Sequence, residues 1–322
     1  MNHPDQPPKP WTASLLRRDL NARALHLAVI GRLLHEETTG NQPSIIFGRD
    51  EQSRHGNFHP ESYTAICANP DWVRRLTKVH TAHRRSRARA DWPWMELDCA
   101  NSSDALLMNI FCHPQVFNGK TLAPAVAHLL GVETSIQPNF GIHPGVPLHR
   151  GLKDRTEIDL QLNNLFIEAK LTEADFQNAN PRLIERYQDL ETVFDITRLP
   201  RKTLYSPTSH PPTEDFSQIE DPADLPNPLP QPIPASAPSR TVIQGYQLIR
   251  NTLAAYASDA SFCVLCDARR RDLIETWYAI LSAVHRPTFA ARLKLLTWQE
   301  LAATLPRDLQ QFLDTKYGIV TA

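Results

Sequence analysis

The sequence predicts an α/β fold, a mixed central sheet flanked by helices, and three observations predict it. Residues 156–171 read as an antiparallel hairpin with one charged face. The first part of the chain carries apolar residues at helical spacing, and beyond residue 240 helical stripes alternate with short apolar strands, the element pattern of an α/β domain. The 322 residues suffice to bury a substantial core. With 41% hydrophobic residues, 21% charged residues and a net charge of −1, composition alone points to no class of partner.

The elements follow in order. Leu15, Leu16, Leu20, Ala24, Leu25, Leu27, Ile30 and Leu33 form a broad helical stripe. Residues 36–59 are polar and read as loop, and residues 60–80 as one or two short helices. Ser102 or Ser103 N-caps a helix through Ala105, Leu106, Met108 and Phe111, and Leu122–Leu130 is a second apolar segment ended by Gly131. An extended piece with several prolines and glycines leads into the hairpin. Residues 200–238 hold 11 of the 27 prolines; proline removes backbone donors and forbids helix, so a flexible surface insert is expected at 200–239. Beyond it the pattern predicts a helix over 242–257, a strand over 262–266, a helix over 268–284, a strand near 293–296 and a helix capped by Thr297. The predicted organisation is a helical N-terminal extension over 1–90 and one α/β domain over 91–322, interrupted by the insert.

The hairpin carries the chemistry. Side chains alternate faces along a strand, so Ile158, Leu160 and Leu162 share one side while Glu157, Asp159 and Gln161 share the other. Asn tolerates positive φ, which makes Asn163-Asn164 a two-residue turn. Leu162 then pairs with Leu165, Asp159 lies opposite Glu168, and Glu157 faces Lys170. Like charges directly opposed across a ladder are destabilising, and a divalent cation on hard oxygen ligands is the natural counterweight. The alternative is an ordinary amphipathic hairpin with a solvated charged face.

Asp159 followed by Glu168-Ala169-Lys170 resembles the PD-(D/E)XK, restriction-endonuclease-like nuclease superfamily, although Arg155-Thr156-Glu157-Ile158-Asp159 lacks the Pro-Asp of the motif's name. Three further segments are similar to a restriction-endonuclease-like subgroup: Asn101-Ser102-Ser103-Asp104-Ala105 with Asn109-Ile110-Phe111, Lys170-Leu171-Thr172-Glu173 with Phe176, and Tyr246-Gln247-Leu248-Ile249-Arg250-Asn251. The resemblance implies that Asp159, Glu168 and the Ala169 carbonyl hold Mg²⁺ or Mn²⁺, and that Lys170 positions the attacking water. It also implies that Tyr246 and Gln247 lean into the site and that an acid near the first core helix completes it. Glu96, Asp104 and Glu133 compete for that role, with Glu96 preferred; Glu157 is expected to hold the Lys170 ammonium.

The run from Arg74 to Arg89 has seven Lys or Arg residues, a density suited to phosphate. Arg84, Arg85, Arg87 and Arg89, with Arg250 on a later helix, are therefore candidate nucleic-acid contacts, and Trp72, Trp92 and Trp94 candidate stacking surfaces; a solvated helix face is the competing reading. Cys263 and Cys266 have half-zinc-site spacing, but the segment reads better as a buried strand using cysteine as a small hydrophobe.

The expected function is a metal-dependent nuclease hydrolysing DNA phosphodiester bonds, with a homodimer admitted as its assembly. A non-catalytic nucleic-acid-binding or assembly protein on the same fold is the alternative, and Pro228, Pro230, Pro232 and Pro234 could serve a partner as a polyproline ligand. An odd set of five cysteines fits a reducing compartment. No apolar run approaches the ~20 residues that span a bilayer, and the N-terminus lacks a leader's basic start and apolar core. A cytoplasmic location without membrane contact is the expectation.

Overall fold

In the computed structural model, which describes residues 10–39, 43–79, 94–205 and 239–320, five strands form the central sheet. Their order is Leu293–Thr297, Ser261–Cys266, Leu165–Ala169, Ile158–Leu162 and Pro138–Ile142. The first three run parallel and the last two pairings are antiparallel, so the sheet is mixed. Helices cover both faces. Strand residues Leu160, Leu162, Leu165, Ile167 and Leu265 face one layer, packed with Leu16, Leu106, Ile110, Leu309 and Leu313 from the helices. Phe166, Phe262 and Val264 face the other, with Leu248, Leu253, Leu273 and Trp277.

The hairpin turns as its sequence requires. Asn163 has φ 52°, Leu162 pairs with Leu165, and Leu160 with Ile167. The pairing ends there, one step short of Asp159 and Glu168, and Asp159 accepts the Ala169 amide across the gap. Ile158 departs from the expected face: it packs in the opposite layer from Leu160 and Leu162. Alternation holds along the paired stretch, and the register pairs end at Leu160. Gly141 lies between Phe140 and Ile142, which pair with Leu160 and Ile158, so it sits across from Asp159. Its φ of +65° and the Arg75 guanidinium against its α-carbon both require the missing side chain.

Two segments differ from the sequence expectation. Within 36–59 a small antiparallel pair forms, His35–Glu37 with Ile45–Phe47. Its apolar run is only three residues long, but all three are buried: Ile45 and Phe47 against Ala24 and Ala28, and Ile46 against Trp94 and Cys99. The stretch expected to start a helix at Val242 is instead the strand Ser239–Gln244, paired with Arg201–Tyr205. Its β-branched Thr241, Val242 and Ile243 favour that state, and Gly245 at φ 72° separates it from the helix Tyr246–Ala257. Residues 201–205 and 239, placed in the insert by the sequence, thus belong to this strand pair, while 206–238 lie outside the described residues.

Described residues before position 80 share the main core. Leu16 and Leu20 of the helix Ala13–Gly31, and Phe58, Tyr63 and Ile66, pack in one cluster with the sheet. Trp72 is buried, donating its indole N–H to the Pro138 carbonyl at 3.4 Å, and Trp94 is buried as well; neither offers a stacking surface. Trp92 lies outside the described residues. Cys263 and Cys266 belong to opposite layers, as a three-residue step along a strand dictates. They cannot share a metal, and burial pushes both thiols up to about 12. Among the described residues no helix is long and apolar enough to cross a membrane.

Candidate active site

At the carboxyl end of the strand Leu165–Ala169 the sheet opens into a cleft of about 520 Å³ lined by Asp159, Glu168, Ala169, Lys170, Asp104 and Gln247, among others. Ends of parallel strands are where such sheets place ligands. Glu168 is 1% exposed, and every lone-pair direction matters at that depth. Its Oε1 accepts from Lys170 Nζ at 2.7 Å and from Gln247 Nε2 at 2.5 Å, and its Oε2 accepts from Asn251 Nδ2 at 2.7 Å. Gln247 and Asn251 are four residues apart on the helix Tyr246–Ala257, hence on one face. Asp159, half-buried, accepts the Ala169 amide at 2.8 Å. Burial, then the Glu168 and Asp104 charges, hold the Asp159 carboxyl well above the usual range. Burial pulls Lys170 down, but Glu168, Glu173 and Asp159 outweigh it and its pKa is raised. Lys170 is an ammonium at neutral pH.

The backbone around Lys170 is pinned from three sides. Trp298 donates its indole N–H to the Lys170 carbonyl at 2.9 Å, the Lys170 amide donates to Leu265 at 2.8 Å, and Arg270 reaches the Leu171 and Ala174 carbonyls. The three segments singled out in the sequence converge here. Asn101 donates to Thr172 at 3.0 Å and Ser103 to Glu173 at 2.7 Å, while the third segment supplies Gln247 and Asn251.

Several expected site residues lie elsewhere or do something else. Glu157 does not hold Lys170. It precedes the strand Ile158–Leu162 and binds Arg75 at 2.6 Å and Lys78 at 3.0 Å, two cations against the single, already paired Lys170. Burial raises its pKa, but the Arg75 and Lys78 contacts outweigh that and bring it to about 2. Tyr246 points away from the cleft: its hydroxyl bonds Tyr187 at 2.9 Å, and it lines a separate cleft with Lys153 and Arg186, because it sits one residue, about 100° of helix, from Gln247. Arg250 lies over the Tyr246 ring, 5.2 Å from its centroid. Glu96 does line this cleft, 3.3 Å from Lys78. Asp104 is more deeply buried and its charge raises Asp159; Lys78 and Arg75 bind it at 2.6 and 2.9 Å. Glu133 is exposed and lines no part of this cleft. Arg84, Arg85, Arg87 and Arg89 lie outside the described residues. Sequence reading missed Asn251, Arg75 and Lys78 as parts of the site; Asn251 was legible as the residue one helical turn beyond Gln247.

The donor set suits a hard divalent cation: carboxylate oxygens gathered at a buried strand end, and an Asp159 carboxyl destabilised by neighbouring negative charge. A mixed five-stranded sheet bearing Asp159 on one strand, Glu168 on the next and Lys170 at its end is the arrangement of a restriction-endonuclease-like protein. More narrowly, the chain belongs to the family described as restriction endonuclease associating with ARP, whose model matches residues 32–318. No curated protein and no solved structure matches the chain.

Proposed function

We propose that this protein is a metal-dependent nuclease that hydrolyses DNA phosphodiester bonds, with Mg²⁺ or Mn²⁺ held by Asp159, Glu168 and the Ala169 carbonyl. One observation carries the reading: two carboxylates that repel each other meet beside a buried ammonium in a single cleft, with Glu168 aligned by Gln247 and Asn251. When bound, the metal polarises the phosphate and lowers the pKa of its water. Gln247 and Asn251 keep Glu168 in one rotamer, so the carboxylate is preorganised. Lys170, held protonated, cannot take a proton from water; it orients the nucleophile and offsets charge building on the phosphate. Arg84, Arg85, Arg87 and Arg89 are proposed to contact the DNA backbone, on the strength of their charge density.

The test is cleavage of supercoiled and linear DNA by the full chain in Mg²⁺ or Mn²⁺, with EDTA as control. Glu168→Ala is expected to cost orders of magnitude in rate, and Lys170→Ala to keep metal binding while losing cleavage. A well-folded wild type that cleaves no DNA or RNA, and binds Mg²⁺ no better than the Asp159→Asn, Glu168→Ala double variant, would leave the non-catalytic binding protein as the reading.

A further inference from the structure

Away from the cleft, three residues distant in sequence bring their side chains together. His59 precedes the helix Pro60–Ala68, His113 follows the helix Ser103–Phe111, and Asp308 opens the helix Arg307–Tyr317. One ligand atom from each lies within 4.8 Å of the other two. Asp308 Oδ2 is 3.6 Å from His113 Nε2 and 3.9 Å from His59 Nε2, and Glu61 Oε2 is 3.5 Å from His113 Nε2. In a tetrahedral zinc site with ~2.1 Å bonds, ligand atoms lie about 3.4 Å apart; the contacts of His113 with Glu61 and Asp308 are close to that, while the three-residue group spans up to 4.8 Å and would have to draw in on loading. His113 has no exposed surface, and its Nε2 makes no well-formed hydrogen bond, although the Glu61 and Asp308 carboxylates stand 3.5 and 3.6 Å away. A buried polar atom held this loosely among ligand-type groups points to something that binds it.

We infer that His59, His113 and Asp308, with Glu61 as the fourth ligand, form a structural Zn²⁺ site separate from the proposed catalytic centre. The ligand chemistry selects the ion. Imidazoles with carboxylates suit zinc, whereas Mg²⁺ prefers oxygen ligands alone. The Gln115 amide lies 3.3 Å from His113 Nδ1, which places the ring's proton on Nε2. On loading, zinc takes Nε2, Nδ1 carries the proton, and this long contact is given up. The Phe312 ring stands edge-on to His59 at 5.4 Å and fixes that ring's plane. His59 and Asp308 line a neighbouring cleft of about 720 Å³, which gives the ion an entry path, and none of its lining residues belongs to the catalytic cleft. The ion would tie the C-terminal helix to the segments around His59 and His113.

The experiment is a Zn²⁺ titration of the metal-stripped full chain in excess Mg²⁺, followed by calorimetry and by thermal unfolding. One equivalent should bind and raise the unfolding temperature. Asp308→Asn replaces a partly exposed side chain without changing its shape, so the fold is kept; it and His59→Gln should each weaken zinc at least about tenfold. The Asp159→Asn, Glu168→Gln variant should bind zinc as wild type does, which separates this site from the catalytic reading. Because His113→Ala empties a buried position, circular dichroism accompanies its expected loss of binding. The inference is overturned if wild type takes up no zinc, if Asp308→Asn and His59→Gln bind it as wild type does, or if the Asp159→Asn, Glu168→Gln variant is the one that loses it.

Discussion

Replacing Lys170 by Met isolates what holds the Glu168 charge in the interior. Lys170 and Glu168 are 6% and 1% exposed and 2.7 Å apart, and Met preserves most of the side-chain volume without the ammonium. Removing one member of a buried pair costs roughly 3–5 kcal/mol, because the other charge is left uncompensated. Gln247 and Asn251 still donate to the carboxylate and hold the figure toward the lower end of that range. Urea unfolding at pH 7 in EDTA, followed by circular dichroism and tryptophan fluorescence, reads the midpoint shift. Adding Glu168→Gln should remove most of the penalty, and Mg²⁺ should reduce it by supplying positive charge. A Lys170→Met loss below ~1 kcal/mol at pH 7 in EDTA would refute the view of Glu168 as a buried charge dependent on this lysine.

Three further outcomes follow from the same geometry. Asp159 is held above its ordinary pKa in the fold, so the folded state keeps its proton where the unfolded chain has lost it; metal-free stability should fall as pH rises through the unfolded carboxyl range toward the folded pKa. Asp159→Asn should flatten that slope in thermal unfolding at stepped pH, and a slope unchanged in the variant would contradict the assignment. Glu157 runs the other way: its pKa of about 2 means stability present above the ordinary carboxyl pKa and lost as pH falls toward 2, a loss that Glu157→Gln should remove from an acid titration. Gly141→Ala should destabilise by about 1–2 kcal/mol, since φ is +65° there and the new methyl meets the Arg75 guanidinium; differential scanning calorimetry measures it, and a neutral result would mean that Arg75 moves away freely.

Sequence alone determined what depends on local chemistry. The Asn163-Asn164 turn and period-two alternation fix the register from Leu160 to Leu162, because a two-residue turn leaves only one pairing and a slip would expose the apolar set. The Ser102 cap, the Gly131 helix end and the Thr297 capping box with Glu300 are likewise local. Tertiary structure decided which side chains meet across the chain. Gln247 and Tyr246 are neighbours in sequence, yet only Gln247 reaches Glu168, since their directions on the helix differ and the helix's seat on the sheet chooses between them. Glu157 chose Arg75 and Lys78, 82 and 79 residues away, over the strand neighbour that the register offered. Packing also brings Glu96 and Asp104 to the same cleft, where Asp104's charge acts on Asp159 and Glu96 meets Lys78, an arrangement that no spacing in the sequence encodes. His59, His113 and Asp308 meet only because the C-terminal helix folds back onto the segments around residues 59 and 113, for a contact between distant segments is written in the shape of the core and not in any one of them.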